Sequence, residues 1–124
     1  MIARTQIFHD TMSWVINPKA MELDDFFGVY KSENNDWTDG CITNVFRQAN
    51  ADESSKYKLI TVDGPVEPTW VENFNSVLDD NKRLTFGKGD GIDLTPKMKV
   101  VIETSDLTHC SPATISRCSV IFME

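Results

Sequence analysis

Three side chains stand where this chain's pattern would place its chemistry. Asp63 ends the apolar run Leu59-Ile60-Thr61-Val62. A carboxylate fixed at the end of a buried strand can orient magnesium, or the waters around it, beside nucleotide phosphates. Asp63-Gly64-Pro65 is equally a plain turn, since these residue types dominate turns. Asp106 follows Val100-Val101-Ile102. A polar residue there can sense a γ-phosphate or position a water, or it can cap the helix that follows. Arg117 closes a short stretch opened by Ser111-Pro112, a cap followed by a first-turn proline. A cation at a helix C-terminus is favourable without any further role. The chemical reading is a guanidinium offered to a neighbour's nucleotide, neutralising transition-state charge.

Other groups carry less. Asp79-Asp80-Asn81-Lys82 closes a helix with two acids, against the dipole. Either a local partner or a solvated end explains that. His109-Cys110-Ser111 puts a base beside nucleophiles, but adjacent residues rarely face each other productively and catalytic pairs are usually remote in sequence. Gly87-Lys88 has neither the upstream glycine nor the following hydroxyl of G-x-x-x-x-G-K-[ST], so the backbone cradle for phosphates is absent. Cys41, Cys110 and Cys118 form no C-x-x-C, and with two histidines there is no zinc-ligand spacing. Reduced thiols are expected.

Length and charge set the bounds. At 124 residues, 40% hydrophobic and 25% charged, the chain reads as one globular domain able to build a core without disulfides or metals. Twelve Lys and Arg against 19 Asp and Glu leave a net charge of −7. That disfavours nucleic acid and anionic membranes as partners. It leaves room for magnesium-assisted phosphate chemistry, where the metal brings the positive charge. No apolar run approaches the length of a membrane span. The opening Met-Ile-Ala-Arg-Thr-Gln lacks the apolar core of a signal peptide, and the odd number of cysteines without C-x-x-C points to reduced thiols in the cytoplasm.

The elements that would position these groups alternate in period. Ser13-Trp14-Val15-Ile16 is a short apolar run stopped by Asn17-Pro18, a buried strand. Leu23, Phe26, Phe27 and Tyr30 keep helical spacing, and Gly28 ends that helix early. Asp36 or Thr38 caps a helix whose apolar face is Trp37, Cys41, Val45, Phe46 and Ala49. Tyr57 to Val62 is a strand. Pro68 opens a helix carrying Trp70, Val71, Phe74, Val77 and Leu78, with Asn81 as its left-handed cap. Arg83–Phe86 and Ile92–Leu94 form a hairpin around Gly87–Gly91. Val100–Ile102 and Val120–Met123 are further buried strands, separated by the Ser111–Arg117 helix. Trp14, Trp37 and Trp70 read as core. Near-continuous apolar strands alternating with helices predict a parallel sheet covered on both faces, with polar chemistry just past the strands' carboxyl ends.

Several stretches together resemble the second AAA+ module in the motor ring of dynein heavy chains, in the family's order and spacing. They are Asn17-Pro18-Lys19-Ala20 with Phe27-Gly28; Trp37-Thr38-Asp39-Gly40; Asp63-Gly64-Pro65-Val66 running into Trp70-Val71-Glu72-Asn73; Asn75-Ser76-Val77-Leu78-Asp79-Asp80-Asn81-Lys82; and Ser111-Pro112-Ala113-Thr114-Ile115-Ser116-Arg117-Cys118. The flavour is axonemal. The resemblance implies a three-layer α/β P-loop NTPase (AAA+) core, incomplete here, with a mostly parallel sheet and an inserted β-hairpin. Residues 12–124 would run from the Walker B strand to the arginine finger and last strand, after an unmatched segment 1–11. Asp63 falls on the Walker B aspartate, which meets Mg²⁺ only with nucleotide. Asp106 falls on the sensor position, where the family commonly carries Asn. Arg117 falls on the arginine finger that this module presents, in trans, to the nucleotide of the first, principal hydrolytic module.

The family context implies ATP and Mg²⁺ for the intact parent module. It also implies neighbouring AAA+ modules of the same heavy chain as partners, microtubules through the full motor, and intermediate and light chains indirectly. The setting would be the cytoskeleton, in the axoneme of a cilium or flagellum. Two departures matter. The residue after the Walker B aspartate usually is the glutamate that activates water; here it is Gly64, and neither Glu67 nor Glu72 replaces it. The family's P-loop lies upstream of the Asn17-Pro18 strand, and residues 1–11 do not match it. The chain therefore reads as a piece of a module, inactive by itself and holding no cofactor alone; residues 2–8 are offered as a substitute strand. A stand-alone, non-catalytic α/β binding or scaffold domain is the competing reading. A small independent hydrolase is the weakest, for want of a nucleophile–base pair.

Overall fold

The computed structural model describes residues 10–124. The offered substitute strand at residues 2–8 lies outside the described residues, as does nearly all of the unmatched segment. Strand β1 (Thr11–Ile16) is closed by Asn17, whose side chain accepts from the Lys19 N–H at 3.0 Å to start a 3₁₀ turn over Pro18–Ala20. A single helical turn, α1 (Leu23–Phe26), leads into an antiparallel pair, β2 (Gly28–Tyr30) and β3 (Trp37–Asp39). Helix α2 (Cys41–Ala51) and strand β4 (Tyr57–Asp63) follow. Then come α3 (Pro68–Val71), a 3₁₀ turn (Glu72–Phe74) and α4 (Asn75–Leu78), a helical stretch in three short pieces. The hairpin β5 (Arg83–Phe86) and β6 (Asp90–Asp93) precedes β7 (Met98–Glu103) and helix α5 (Pro112–Arg117).

Strands β1, β4 and β7 form a wholly parallel three-stranded sheet, ordered β1-β4-β7, with Ile16 beside Val62 and Val62 beside Ile102. One face of it carries Trp14, Ile16, Ile60, Val62, Met98, Val100 and Ile102 into the core. The helices fill that core with aromatics. Phe26, Phe46 and Phe74 are at most 1% exposed, and each contributes about 1.5–3 kcal/mol by its burial. Trp70 stands edge-on to Phe74 at 5.7 Å and to Phe26 at 5.9 Å. The architecture is α/β, compatible with a partial Rossmann-like core.

The expected elements differ from this in five places. Trp37 and Thr38 lie on β3, and α2 begins only after Gly40, which replaces Asp36 or Thr38 as the cap. Trp37 stacks on Phe86 at 5.0 Å and meets Tyr30 edge-on, also at 5.0 Å, while its indole N–H donates to Asp39 at 2.7 Å. These tertiary contacts outweigh the helical spacing to Cys41. Tyr30 likewise leaves the helix for β2, because Gly28 takes φ +122° and a Cβ there would lie 2.4 Å from the Thr38 carbonyl oxygen. The left-handed residue after α4 is Lys82, not Asn81.

The last two differences concern the sheet. Its second face is only partly covered among the described residues: Thr61 is buried, but Val15 and Val101 are 68% and 40% exposed and, with Leu59, stay outside the core. The buried apolar residues of α1 to α4 gather in one cluster with the Ile16-Ile60-Val62 face, so what remains is two layers among the described residues. The expected strand at Val120–Met123 is not formed either. Those residues are 57–86% exposed and pair with no strand among the described residues. A lone apolar segment has no ladder to satisfy its backbone, and β7 pairs only with β4 among the described residues.

Candidate functional site

Because β1, β4 and β7 run parallel, their carboxyl ends share one rim of the sheet. Asn17-Pro18, Asp63-Gly64 and the loop through Asp106 leave from that rim. Asp63 is exposed there and stands in register with Glu103 across β7. The next residue is pinned: the Gly64 N–H donates to the Glu103 carbonyl at 3.1 Å. A Cβ on Gly64 would meet Pro18 Cδ at 3.0 Å and Asn17 Oδ1 at 3.1 Å. The exit of β1 thus fills the space beside position 64, and the departure noted in the sequence has a packing counterpart.

Asp106 has a local task. Its carboxylate accepts from the Thr108 N–H at 3.0 Å, and its carbonyl accepts from the Thr104 hydroxyl at 3.0 Å. The Thr108 N–H, then the Thr108 hydroxyl, and after them the neighbouring His109, hold its carboxyl below the usual 3.8. The side chain remains exposed. The structure brings Asp63 and Asp106 to the same rim, with no hydrogen bond or ion pair joining them among the described residues.

Arg117 sits at the end of α5, whose first turn is capped by Ser111 accepting from the Thr114 N–H at 3.2 Å. Ser111 is therefore committed to a cap, and the neighbouring histidine and cysteine gain no catalytic partner in it. The buried Thr114 hydroxyl donates to Asn75 Oδ1 at 3.0 Å, fastening α5 to α4. Arg117 Nε then donates to Asp79 Oδ1 at 2.5 Å, and Nη1 to its own helix at the Ala113 carbonyl, 2.9 Å. The acid that opposes the α4 dipole has a partner, settling the choice the sequence left open. The pair is at the surface, with a third of the arginine side chain accessible. Asp79 as the companion of Arg117 was missed from sequence. Its one signal was an acid at a helix end, which does not say which cation, 38 residues away, will answer it.

The remaining chemistry-bearing groups are structural. Burial, with Glu72 behind it, pushes the Cys110 thiol up, and burial, with Cys110 behind it, does the same to Cys118. Both are thiols rather than thiolates at neutral pH. Lys88, the lysine of the incomplete phosphate-loop pattern, lies in the β5–β6 turn with its ammonium over the Tyr30 ring and bound to Asn35. That turn joins two antiparallel strands and no helix starts from it, so Lys88 belongs to no strand-to-helix backbone cradle for a triphosphate among the described residues. No group of three or more His, Cys, Asp or Glu converges on a metal position among the described residues. A shallow concavity of about 350 Å³, lined by Asp24, Asp25, Asp39, Gly40, Cys41 and Asn44, opens at the start of α2 instead of at the rim. No described helix is long and apolar enough to cross a membrane.

No family model matches the chain. Its relatives at about 40% identity are axonemal dynein heavy chains. It is 43% identical over 110 residues to mouse dynein axonemal heavy chain 3, covering 89% of this chain. It is 42% identical over 117 residues, 94% of the chain, to human dynein axonemal heavy chain 2. With the dynein-1-alpha heavy chain of the flagellar inner arm I1 complex of Chlamydomonas reinhardtii it shares 41% over 125 residues, 98% of the chain. The chain spans about 3% of the length of these relatives.

Proposed function

We propose that this chain corresponds to the part of the second AAA+ module of an axonemal dynein heavy chain that runs from the strand before Walker B to the arginine finger. In that reading it does not turn over ATP; it supplies Arg117 to the nucleotide of the first module in microtubule-based movement. Asp63 would face the magnesium of the intact module's own ATP, and Asp106 would stand at the sensor position. The partners are the neighbouring modules of the same heavy chain, and microtubules through the whole motor. The setting is the axoneme of a cilium or flagellum.

The observation that carries the reading is the similarity to a flagellar inner-arm dynein heavy chain over 98% of the chain, a span that includes positions 63, 64, 106 and 117. The shared rim of Asp63 and Asp106 and the accessible guanidinium of Arg117 agree with it. The competing reading, a non-catalytic scaffold, draws on the local employment of Asp106 in a turn and Arg117 in a clasp.

The test is turnover in a dynein motor in which this segment occupies the corresponding place. Arg117→Ala is expected to lower first-module ATP hydrolysis by roughly 10³-fold or more while sparing ATP binding there. A loss smaller than about tenfold removes the finger assignment and leaves the scaffold reading.

A further inference from the structure

We infer that Asp79 is a positioning residue for Arg117, holding the guanidinium presented before any partner's anion arrives. The inference rests on the finger reading above.

Asp79 is itself well anchored. Its N–H donates to the Asn75 carbonyl at 2.9 Å and its carbonyl accepts from Lys82 at 3.1 Å, so the residue is the C-cap of α4. From that fixed backbone the carboxylate accepts Arg117 Nε at 2.5 Å, while the Ala113 carbonyl takes Nη1 at 2.9 Å. Two of the five N–H donors of the planar group are thereby engaged, on separate nitrogens, and three remain for an oxyanion. An unheld arginine samples many rotamers, and the cost of ordering it would fall on the transition state. The half-buried Asn75–Thr114 bond adds a second point of attachment between the same two helices. The position of Arg117 is thus set by α4, not by α5 alone. A surface ion pair of this kind adds little to stability, so a role in presentation and a role in folding are separable.

The experiment uses the same motor and compares Asp79→Ala, Asp79→Asn, Arg117→Ala and the Asp79→Ala/Arg117→Ala double variant. Asp79→Ala is expected to lower kcat by roughly tenfold at unchanged KM for ATP, as a misplaced catalytic group does. Asp79→Asn keeps an oxygen acceptor for Nε and is expected to restore most of that loss. The double variant is expected to be no slower than Arg117→Ala. If Arg117→Ala abolishes turnover but Asp79→Ala stays within twofold of the parent, the inference is overturned and the finger reading stands. An Asp79→Asn as slow as Asp79→Ala, or a double variant slower than Arg117→Ala, also overturns it. If Arg117→Ala costs little, the finger reading fails first and takes this inference with it.

Discussion

Gly64 lies against Asn17: a Cβ at position 64 would stand 3.1 Å from Asn17 Oδ1, and 3.0 Å from Pro18 Cδ. The residue following the rim aspartate therefore touches the exit of the neighbouring strand. Gly64→Ala is expected to destabilise the chain by about 1 kcal/mol, the cost of modest overpacking, read by urea unfolding. Gly64→Glu is expected to cost at least as much and to yield no phosphate release from Mg-ATP, because a lone carboxylate has no cradled triphosphate to act on. Calorimetric titration of the parent chain with Mg-ATP is expected to show no micromolar binding; such binding would contradict the proposal that this segment alone does not hold nucleotide.

Trp37 joins the two antiparallel pairs, stacking on Phe86 of β5 at 5.0 Å and meeting Tyr30 of β2 at the same distance. Trp37→Ala is expected to cost about 3 kcal/mol, from lost burial and ring contacts. The measurement is the urea midpoint followed by near-ultraviolet circular dichroism. A change below about 1 kcal/mol would show that the hairpins are held by something else.

Much of this was legible in advance, for a physical reason. The strands at Ser13–Ile16 and Tyr57–Val62, the Pro68 and Ser111 helix starts and the Arg83–Leu94 hairpin all carry local signals, such as periodicity, caps and turn residues, that the tertiary structure did not contradict. Trp37 failed because its spacing to Cys41 and Val45 fits a helix while its ring belongs to a cluster built with Tyr30 and Phe86. The partly covered sheet face failed differently: Trp14-Val15-Ile16 has the continuous apolar character of a strand buried on both sides, and sequence cannot say that Val15 will be exposed among the described residues. In the site, the rim shared by Asp63 and Asp106 follows from parallel strands and could be anticipated. The Arg117–Asp79 contact could not, since it depends on how two short helices dock.

The pH dependence has a definite sign. Asp52 is held below the usual 3.8 mainly by the Ser54 hydroxyl and then by the Ser54 N–H, and Asp106 by the Thr108 N–H and hydroxyl. Carboxylates stabilised in the folded state contribute fully above their unfolded values and lose that contribution as pH falls through the lowered folded ones. These two groups should leave the melting temperature flat from pH 7 to 5 and lower it below about pH 4. Asp106→Asn is expected to flatten part of the acid limb, and an unchanged limb in the double Asp52→Asn/Asp106→Asn variant would refute the assignment.

The exposed apolar groups predict association. Val120 to Met123 are 57–86% exposed, and Val15 and Val101 leave an apolar strip on the open sheet face. The outer edge of β7, which has no partner strand among the described residues, lies beside that strip and invites pairing between chains. Light scattering across a hundredfold range of concentration is expected to show mass rising with concentration, and Ile121→Lys with Val101→Lys is expected to suppress the rise. A single monomeric mass throughout, with a sharp melt independent of concentration, would count against it.

The most direct test of the central proposal is a structure, by electron cryomicroscopy, of a dynein ring carrying this segment, trapped with ADP and vanadate in the first module. The account predicts the Arg117 guanidinium within about 3 Å of the vanadate oxygens, hydrogen-bonding distance. An Arg117 turned away from that nucleotide, with no vanadate oxygen in hydrogen-bonding reach, would contradict it.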